Sequence, residues 1–294
     1  MQLKALAVTA SFAAVLGTSV LGLAPAATSA GDTTPPTLTT PAKASFTVGG
    51  QIDLGSTPGC GDDPHDIRVS RVPVEFAWTG SDASDQVRYA LTQETGRDGP
   101  VEVFSDSTRT SYAAAVGSNA DQSCGGGSPS IYQWDVDASD PAGNTVTHQV
   151  YGGRIRLTQD TGHTDDAGYA TVPTIAYQGR WGTSSCACWS DGGVHRTSVK
   201  GASFTIQPTP FASFPGDLAN HHVALVMHRG PDRGRFRVYV DGQLRSTVDL
   251  RAATSQPRMI VWQTAFRDFG HTVKVQNLAT PGRPRIDLDA VLTN

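Results

Sequence analysis

From about residue 45 onward, apolar residues recur at every second position in short runs separated by glycine, proline, asparagine and aspartate. The stretch "VEFAW" sets Val74, Phe76 and Trp78 on one face, and "IYQWDVDA" does the same for Tyr132, Trp134 and Val136. Successive side chains of a strand point to opposite faces, so each run reads as a half-buried strand. Turn-forming clusters such as Gly80-Ser81-Asp82 and Asp140-Pro141-Ala142-Gly143-Asn144 lie between and after them. Further runs, "IAYQGRW", "GASFTI", "HHVALVMH", "GRFRVYVDGQLRSTVDL", "RMIVWQTAF", "GHTVKVQNLA" and "RIDLDAVLT", continue the pattern to the C-terminus. The chain is therefore expected to be all-β, with two β-sandwich domains at 45–152 and 153–294.

One hairpin can be argued further. Phe236, Val238 and Val240 occupy even positions, and so do Leu244, Val248 and Leu250. A two-residue Asp241-Gly242 loop pairs even with odd positions, which would oppose Val238 to Arg245. A three-residue or bulged turn restores the match, and it leaves Arg235, Arg237, Tyr239, Arg245 and Asp249 on the opposite face.

The N-terminus changes the setting. Lys4 precedes a largely apolar run from Ala5 to Leu23, and small residues follow to Ala30. This is the layout of a cleavable export signal (1–30), with cleavage after Ala26 or Ala30. A Pro/Thr-rich spacer occupies 31–44. The mature chain is expected to be secreted and extracellular, without a membrane segment. In an oxidising setting the four cysteines are first read as two disulfides, and pairing within each half, Cys60 with Cys124 and Cys186 with Cys188, is the simplest of three choices.

Charge divides the halves. Residues 31–152 carry 16 acidic and 6 basic side chains, whereas residues 153–294 carry 11 acidic and 16 basic. A pI near 6.0 and an exported address argue against nucleic acid as a partner.

Two resemblances enter here. "VEFAWTGSDAS" with "YQWDVDASDPAGNTVT" resembles the immunoglobulin-like and fibronectin-III-like modules of bacterial secreted proteins. Cys60 precedes the Trp78 strand and Cys124 lies in a Gly/Ser-rich loop, so a loop staple is as good a reading of that pair as a sheet-bridging core disulfide. The ordered set Tyr-x-Gly-x-Trp, Gly-Ala-x-Phe-Thr, Val-Tyr-Val-Asp-Gly, Gly-His-Thr-Val and Asp-x-Asp-Ala resembles the galactose-binding-like jelly roll. That resemblance implies an all-β jelly roll with a carbohydrate-related, non-catalytic role.

Candidate chemistry is sparse. Cys186-Ala187-Cys188 is tighter than a zinc knuckle and has no second pair beside it. His222 and His228 share a strand face about 20 Å apart, too far to chelate one ion. Asp135, Asp137, Asp140 and Asn144 lack the glycine and the terminal glutamate of an EF-hand. No metal or cofactor is expected. There is no Gly-x-Ser-x-Gly elbow, and the aspartates Asp287 and Asp289 sit in a run typical of a structural last strand, so no enzyme activity is expected.

Binding is what remains. Trp189 lies among Ser, Asp and Gly, with no strand alternation to bury it, and His195 follows in the same segment. With Tyr239, Arg235, Arg237 and Arg245 they form the candidate ligand-binding set, since aromatic faces suit sugar rings and guanidinium forks suit anions. The solvated-face reading of the same arginines stands beside it. The expected partner is an extracellular polysaccharide or an anionic cell-wall polymer. A structural or adhesive surface protein without a small ligand is the alternative, with an unrecognised hydrolase behind it.

Overall fold

The computed structural model describes residues 32–40, 44–54, 70–95, 99–118, 133–151, 155–159, 173–190, 192–207, 221–267 and 270–294. Among these, every regular element is a strand. Cys60, Cys124, Tyr132 and the 1–30 segment expected to be an export signal lie outside the described residues.

Among the described residues, ten strands precede position 152: β1 (Thr37–Thr39), β2 (Ser45–Phe46), β3 (Asp53–Leu54), β4 (Ser70–Ala77), β5 (Thr79–Ser81), β6 (Arg88–Thr95), β7 (Gly99–Ser107), β8 (Ser111–Ser118), β9 (Gln133–Ser139) and β10 (Thr145–Tyr151). One sheet has the order β10-β9-β6-β7, and a second places β4 between β8 and the short β2 and β3. Val74, Phe76 and Trp78 are buried together, as are Trp134 and Val136, as the alternation predicts. Phe76 and Trp134 meet with ring centroids 4.9 Å apart. The indole of Trp78 donates to the Arg109 carbonyl, so its polar edge is satisfied inside the core.

Eleven strands follow among the described residues: β11 (Arg156–Gln159), β12 (Thr174–Gln178), β13 (Gly182–Ser185), β14 (Gly193–Thr197), β15 (Ser203–Gln207), β16 (His221–Arg229), β17 (Arg235–Val240), β18 (Gln243–Asp249), β19 (Gln256–Phe266), β20 (Val273–Asn277) and β21 (Ile286–Thr293). They form two sheets, β13-β14-β21-β16-β19 and β12-β15-β20-β17-β18, with β11 added beside β21. The chain alternates between these sheets in jelly-roll order, eight strands from β14 to β21 building the double sheet. Phe204, Ile206, Leu225, Met227, Phe236, Val238, Val275, Ile286 and Leu288 pack between the sheets, all fully buried.

The first jelly-roll sheet is covered on both faces. Ala224, Val226, Ile260, Ala290 and Leu292 turn away from the jelly-roll core and join one apolar cluster with Phe46, Ile52 and Val74. Backbone bonds continue the seam: Gly49 donates to the Ile260 carbonyl at 2.8 Å, Ile260 to that of Gly50 at 2.9 Å, and Ile52 to that of Arg258 at 2.9 Å. This explains why every residue of β21 is buried although its sequence alternates apolar and charged positions at the start.

The β17–β18 hairpin corrects one expectation. The loop has two residues, Asp241 and Gly242, both with positive φ (52° and 77°), and Val240 pairs with Gln243. A β-bulge one step later at Arg245 then restores parity, so Val238 faces Ser246 rather than Arg245. Turn chemistry wins because the Asp241 carboxylate accepts from the Thr272 amide at 2.8 Å and bonds His271 at 2.7 Å, which anchors the tight turn. Leu244, expected inside, is instead 53% exposed opposite Tyr239.

Candidate functional site

The β12-β15-β20-β17-β18 sheet has one open face. In β17 the pattern is exposed Arg235, buried Phe236, exposed Arg237, buried Val238 and half-buried Tyr239. In β20, Lys274 and Gln276 alternate with buried Val273 and Val275. The pairing register sets these side chains into two rows across the sheet. One row runs Gln178, Ser203, Gln276, Arg237, Thr247, and the other runs Ala176, Thr205, Lys274, Tyr239, Leu244. Neighbouring strands lie about 4.8 Å apart, so each row spans about 19 Å. The Tyr239 hydroxyl donates to Gln276 Oε1 at 3.4 Å, which ties the rows together. This face offers an aromatic ring, planar amide and guanidinium groups and a cation.

Three of the six residues proposed from the sequence share one face, Arg235, Arg237 and Tyr239, while Arg245 is the exposed, unpaired residue of the β18 bulge. The other two do not join them. Trp189 is only 4% exposed, against the expectation of a solvent-facing ring, and it packs edge-on against His228 with centroids 4.9 Å apart. His195 lies across from Leu288 in the β14–β21 ladder and its ring meets Tyr177 at 4.6 Å, at the edge of the jelly-roll core. Gln276, Lys274 and Gln178 carry no local signal in the sequence, because single polar positions on separate strands align only through pairing.

The Cys186–Cys188 bond explains the turn inward. The two sulfurs are joined, with Cα atoms 5.0 Å apart. Around them Cys186 donates to the Gly192 carbonyl at 2.9 Å and Trp189 to that of Cys186 at 3.1 Å, closing a compact loop. Asp289, the extra residue of a bulge in β21, accepts from the Ser190 amide at 2.9 Å and hydroxyl at 3.0 Å. Arg258 bonds both the Cys188 carbonyl at 2.6 Å and that of Ile52 at 2.9 Å, linking this loop to the N-terminal half.

Beneath it lies a buried charged network. Arg233 bonds Asp287 and Asp232, and Arg285 Nε donates to the other Asp287 oxygen at 2.6 Å. Arg233 Nη2 also donates to His228 Nδ1 at 3.0 Å, and His228 Nε2 lies 2.8 Å from Ser255 Oγ. An arginine can only donate, so Nδ1 is the acceptor and the imidazole proton sits on Nε2, pointing at Ser255. A serine nucleophile needs the opposite polarity, with Nε2 taking the hydroxyl proton. Asp287 and Asp289 have no solvent exposure and are engaged by Arg233, Arg285 and Ser190.

Burial, then the Arg233 charge, pushes the His228 pKa from 6.5 down to about 4. The unfolded chain thus binds a proton below pH 6.5 that the folded chain refuses until about pH 4. Stability is expected to fall across that window as pH drops, by up to about 3 kcal/mol. His228→Gln can keep both hydrogen bonds, and urea unfolding against pH should show a flatter slope between pH 6.5 and 4 in that variant. An unchanged slope would assign the effect to other groups.

Among the described residues, one group offers three potential metal ligands: Asp32, Asp82 and Asp140, whose oxygens lie within 4.8 Å of one another. Asp140 is already bonded by the Asn144 side chain at 2.7 Å and amide at 2.9 Å, which hold its carboxyl below the usual range. Of the oxygen-rich stretch noted in sequence, Asp140 and Asn144 thus meet, while Asp135 and Asp137 stay on β9.

No protein-family model and no curated protein matches the chain. Solved structures similar to it include the CBM36-1 domain of a multidomain xylanase from the hindgut metagenome of Trinervitermes trinervoides, at 12% identity over 48% of this chain and 96% of that one, with a TM-score of 0.29. An exo-β-1,3-galactanase from Phanerochaete chrysosporium is 12% identical over 86% of this chain and 68% of that one, with a TM-score of 0.27. The insecticidal crystal protein Cry2Aa is 12% identical over 85% of this chain, which spans half of its length, with a TM-score of 0.32. At these values none of the three bears on ligand or chemistry, and the β-sandwich architecture stands on the sheet order itself.

Proposed function

We propose that this chain is an exported, non-catalytic carbohydrate-binding protein whose ligand lies on the open face of the β12-β15-β20-β17-β18 sheet. The observation that carries the reading is the alignment of Arg237, Gln276, Tyr239 and Lys274 in two adjacent rows on that face. A sugar presents an apolar ring face and a rim of hydroxyls, and these side chains supply the complementary ring and planar hydrogen-bonding groups. The export signal and the Cys186–Cys188 bond support an extracellular address. The jelly-roll order supports the galactose-binding-like reading of 153–294, and the packing of β2-β4-β8 with β10-β9-β6-β7 supports the fibronectin-III-like reading of 45–152. The reversed polarity of the His228–Ser255 pair fits a non-catalytic role.

Pull-down of the full chain on a panel of neutral and acidic insoluble polysaccharides tests this. Arg237→Gln and Tyr239→Ala are each expected to weaken binding to a retained polymer about tenfold, the effect of losing about 1.4 kcal/mol of contact. Both variants binding like the parent would remove the ligand from this face, and an empty panel with capture of a protein would favour the adhesive alternative.

A further inference from the structure

Five jelly-roll loops meet at one end of the sandwich: 179–181, 198–202, 230–234, 250–255 and 278–285. The registers Gln178 with Ser203, Ser203 with Gln276, Phe236 with Asn277, Arg235 with Asp249, Thr197 with Ile286 and Arg229 with Gln256 bring them to the same pole. Hydrogen bonds stitch each loop to the next. Thr197 Oγ1 donates to the Arg180 carbonyl at 2.8 Å, and Asn277 Nδ2 donates to the carbonyls of Val199 at 3.2 Å and Pro284 at 3.0 Å. Arg283 Nη1 donates to the Arg233 carbonyl at 2.9 Å, and Gly230 donates to that of Leu250 at 2.9 Å. A Cβ at Gly234 would come within 2.2 Å of the Arg283 carbonyl oxygen, so the backbones approach as closely as glycine permits. The pole is a single braced surface.

Its charge is one-sided. The five loops hold Arg180, Lys200, Arg233, Arg251, Arg283 and Arg285 but only one acidic residue, Asp232. Arg229 and Arg235 flank them on strand ends. The nearby carboxylates are consumed internally: Asp249 by Arg283 at 2.9 Å, and Asp232 and Asp287 by Arg233, with Arg285 also on Asp287. Arg180, Lys200, Arg229 and Arg251 make no ion pair with the described residues, and none of the pole's cations is bonded to an acidic side chain of 31–152 among them. The excess positive charge thus faces solvent on a scaffold whose own ion pairs are already closed.

We infer that this pole is a second binding surface, for an acidic polysaccharide. Three exposed cations, Arg180, Lys200 and Arg251, with half-buried Arg229 donating to the Arg251 carbonyl at 3.2 Å beside them, suit a polymer of spaced carboxylates or sulfates, which guanidinium forks bind in two-point fashion. Arg235 connects the pole to Arg237 along β17, with alternate residues about 6.6 Å apart, so a chain engaged at the pole can continue onto the polar rows. A flexible, sparsely charged chain can follow this path from the pole onto the open face. The choice of a polysaccharide over other polyanions rests on the open-face reading; the positive pole does not.

The test compares the full-length protein with Arg180→Gln/Lys200→Gln/Arg229→Gln/Arg251→Gln on matched pairs: polygalacturonate against its fully methyl-esterified form, and dextran sulfate against dextran. The parent should prefer the charged member of each pair and lose that preference as salt shortens the Debye length from about 10 Å at 0.1 M to about 3 Å at 1 M. The quadruple variant should bind the charged polymers on the order of thirtyfold more weakly, at about 0.5 kcal/mol per removed charge, with neutral binding unchanged. Equal affinity for charged and neutral partners, undiminished charged binding by a folded variant, or a DNA duplex binding as well as either acidic polymer would each overturn the proposal. Failure of the open-face reading looks different: Arg237→Gln and Tyr239→Ala would then leave neutral-polymer binding intact.

Discussion

Asp287→Ala is expected to destabilise the protein by about 3–5 kcal/mol, since it leaves two guanidinium groups without their shared counter-charge. Asp287 has no solvent exposure, Arg233 is 5% exposed, and both carboxylate oxygens are occupied, one by Arg233 and the other by Arg285. The same network reaches His228 through Arg233 Nη2 and Trp189 through the His228 ring. Truncating its central anion therefore unsettles three segments far apart in sequence. Asp249→Ala is the internal comparison, because that carboxylate also holds an arginine, Arg283, but at an exposed site that contributes about 1 kcal/mol or less. Urea unfolding of the two variants separates the cases. Equal losses would mean that the buried network adds nothing beyond a surface pair.

Trp189→Ala is the second large effect, about 3–5 kcal/mol of stability with polysaccharide binding by the folded fraction unchanged. The indole is buried against His228, and its Nε1 finds no acceptor among the described residues. Trp189→Phe should consequently cost much less, as it keeps an aromatic ring and removes a polar group that was already unpaired. The decisive measurement pairs thermal unfolding with a binding isotherm on each variant. A stable Trp189→Ala that has lost its ligand would return this residue to the binding surface and contradict the packing described above.

That reversal shows where local reading ends. Trp189 sits in a polar, glycine-rich stretch, and the Cys186–Cys188 pair beside it marks a closed loop without telling which way the ring points. Its cover comes from His228, some forty positions later, and from the Asp289 bulge that anchors the adjacent Ser190. Arg233 is similar: it belongs by sequence to a run of arginines, yet it is a structural cation, while Arg235 and Arg237 beside it are exposed. Strand alternation separates Arg235 and Arg237 from the core, but only the return of β21 brings Asp287 under Arg233. The basic pole was invisible for the same reason, because Arg180, Lys200, Arg251 and Arg283 arrive from four loops that the pairing register gathers.

The hairpin marks the opposite limit. Period-two alternation correctly implied that Val238 could not face Arg245, but it could not decide where the extra residue goes. Asp-Gly chemistry and the Asp241 bonds to His271 and Thr272 placed the tight turn first and the bulge after it.

Alternation, turn residues and β-branched runs by themselves determined that this protein is all-β and which faces of β4, β9 and β17 are buried, because a strand's two faces are set by neighbours in the chain. They also placed Arg237 and Tyr239 on one face of their strand, opposite the apolar set. Which sheet has both faces covered, which aspartates are spent inside, and where the unspent cations collect were decided only by tertiary structure. Those outcomes depend on strand pairings that join distant parts of the chain, and the energy of a buried charge is set by whatever the fold places against it.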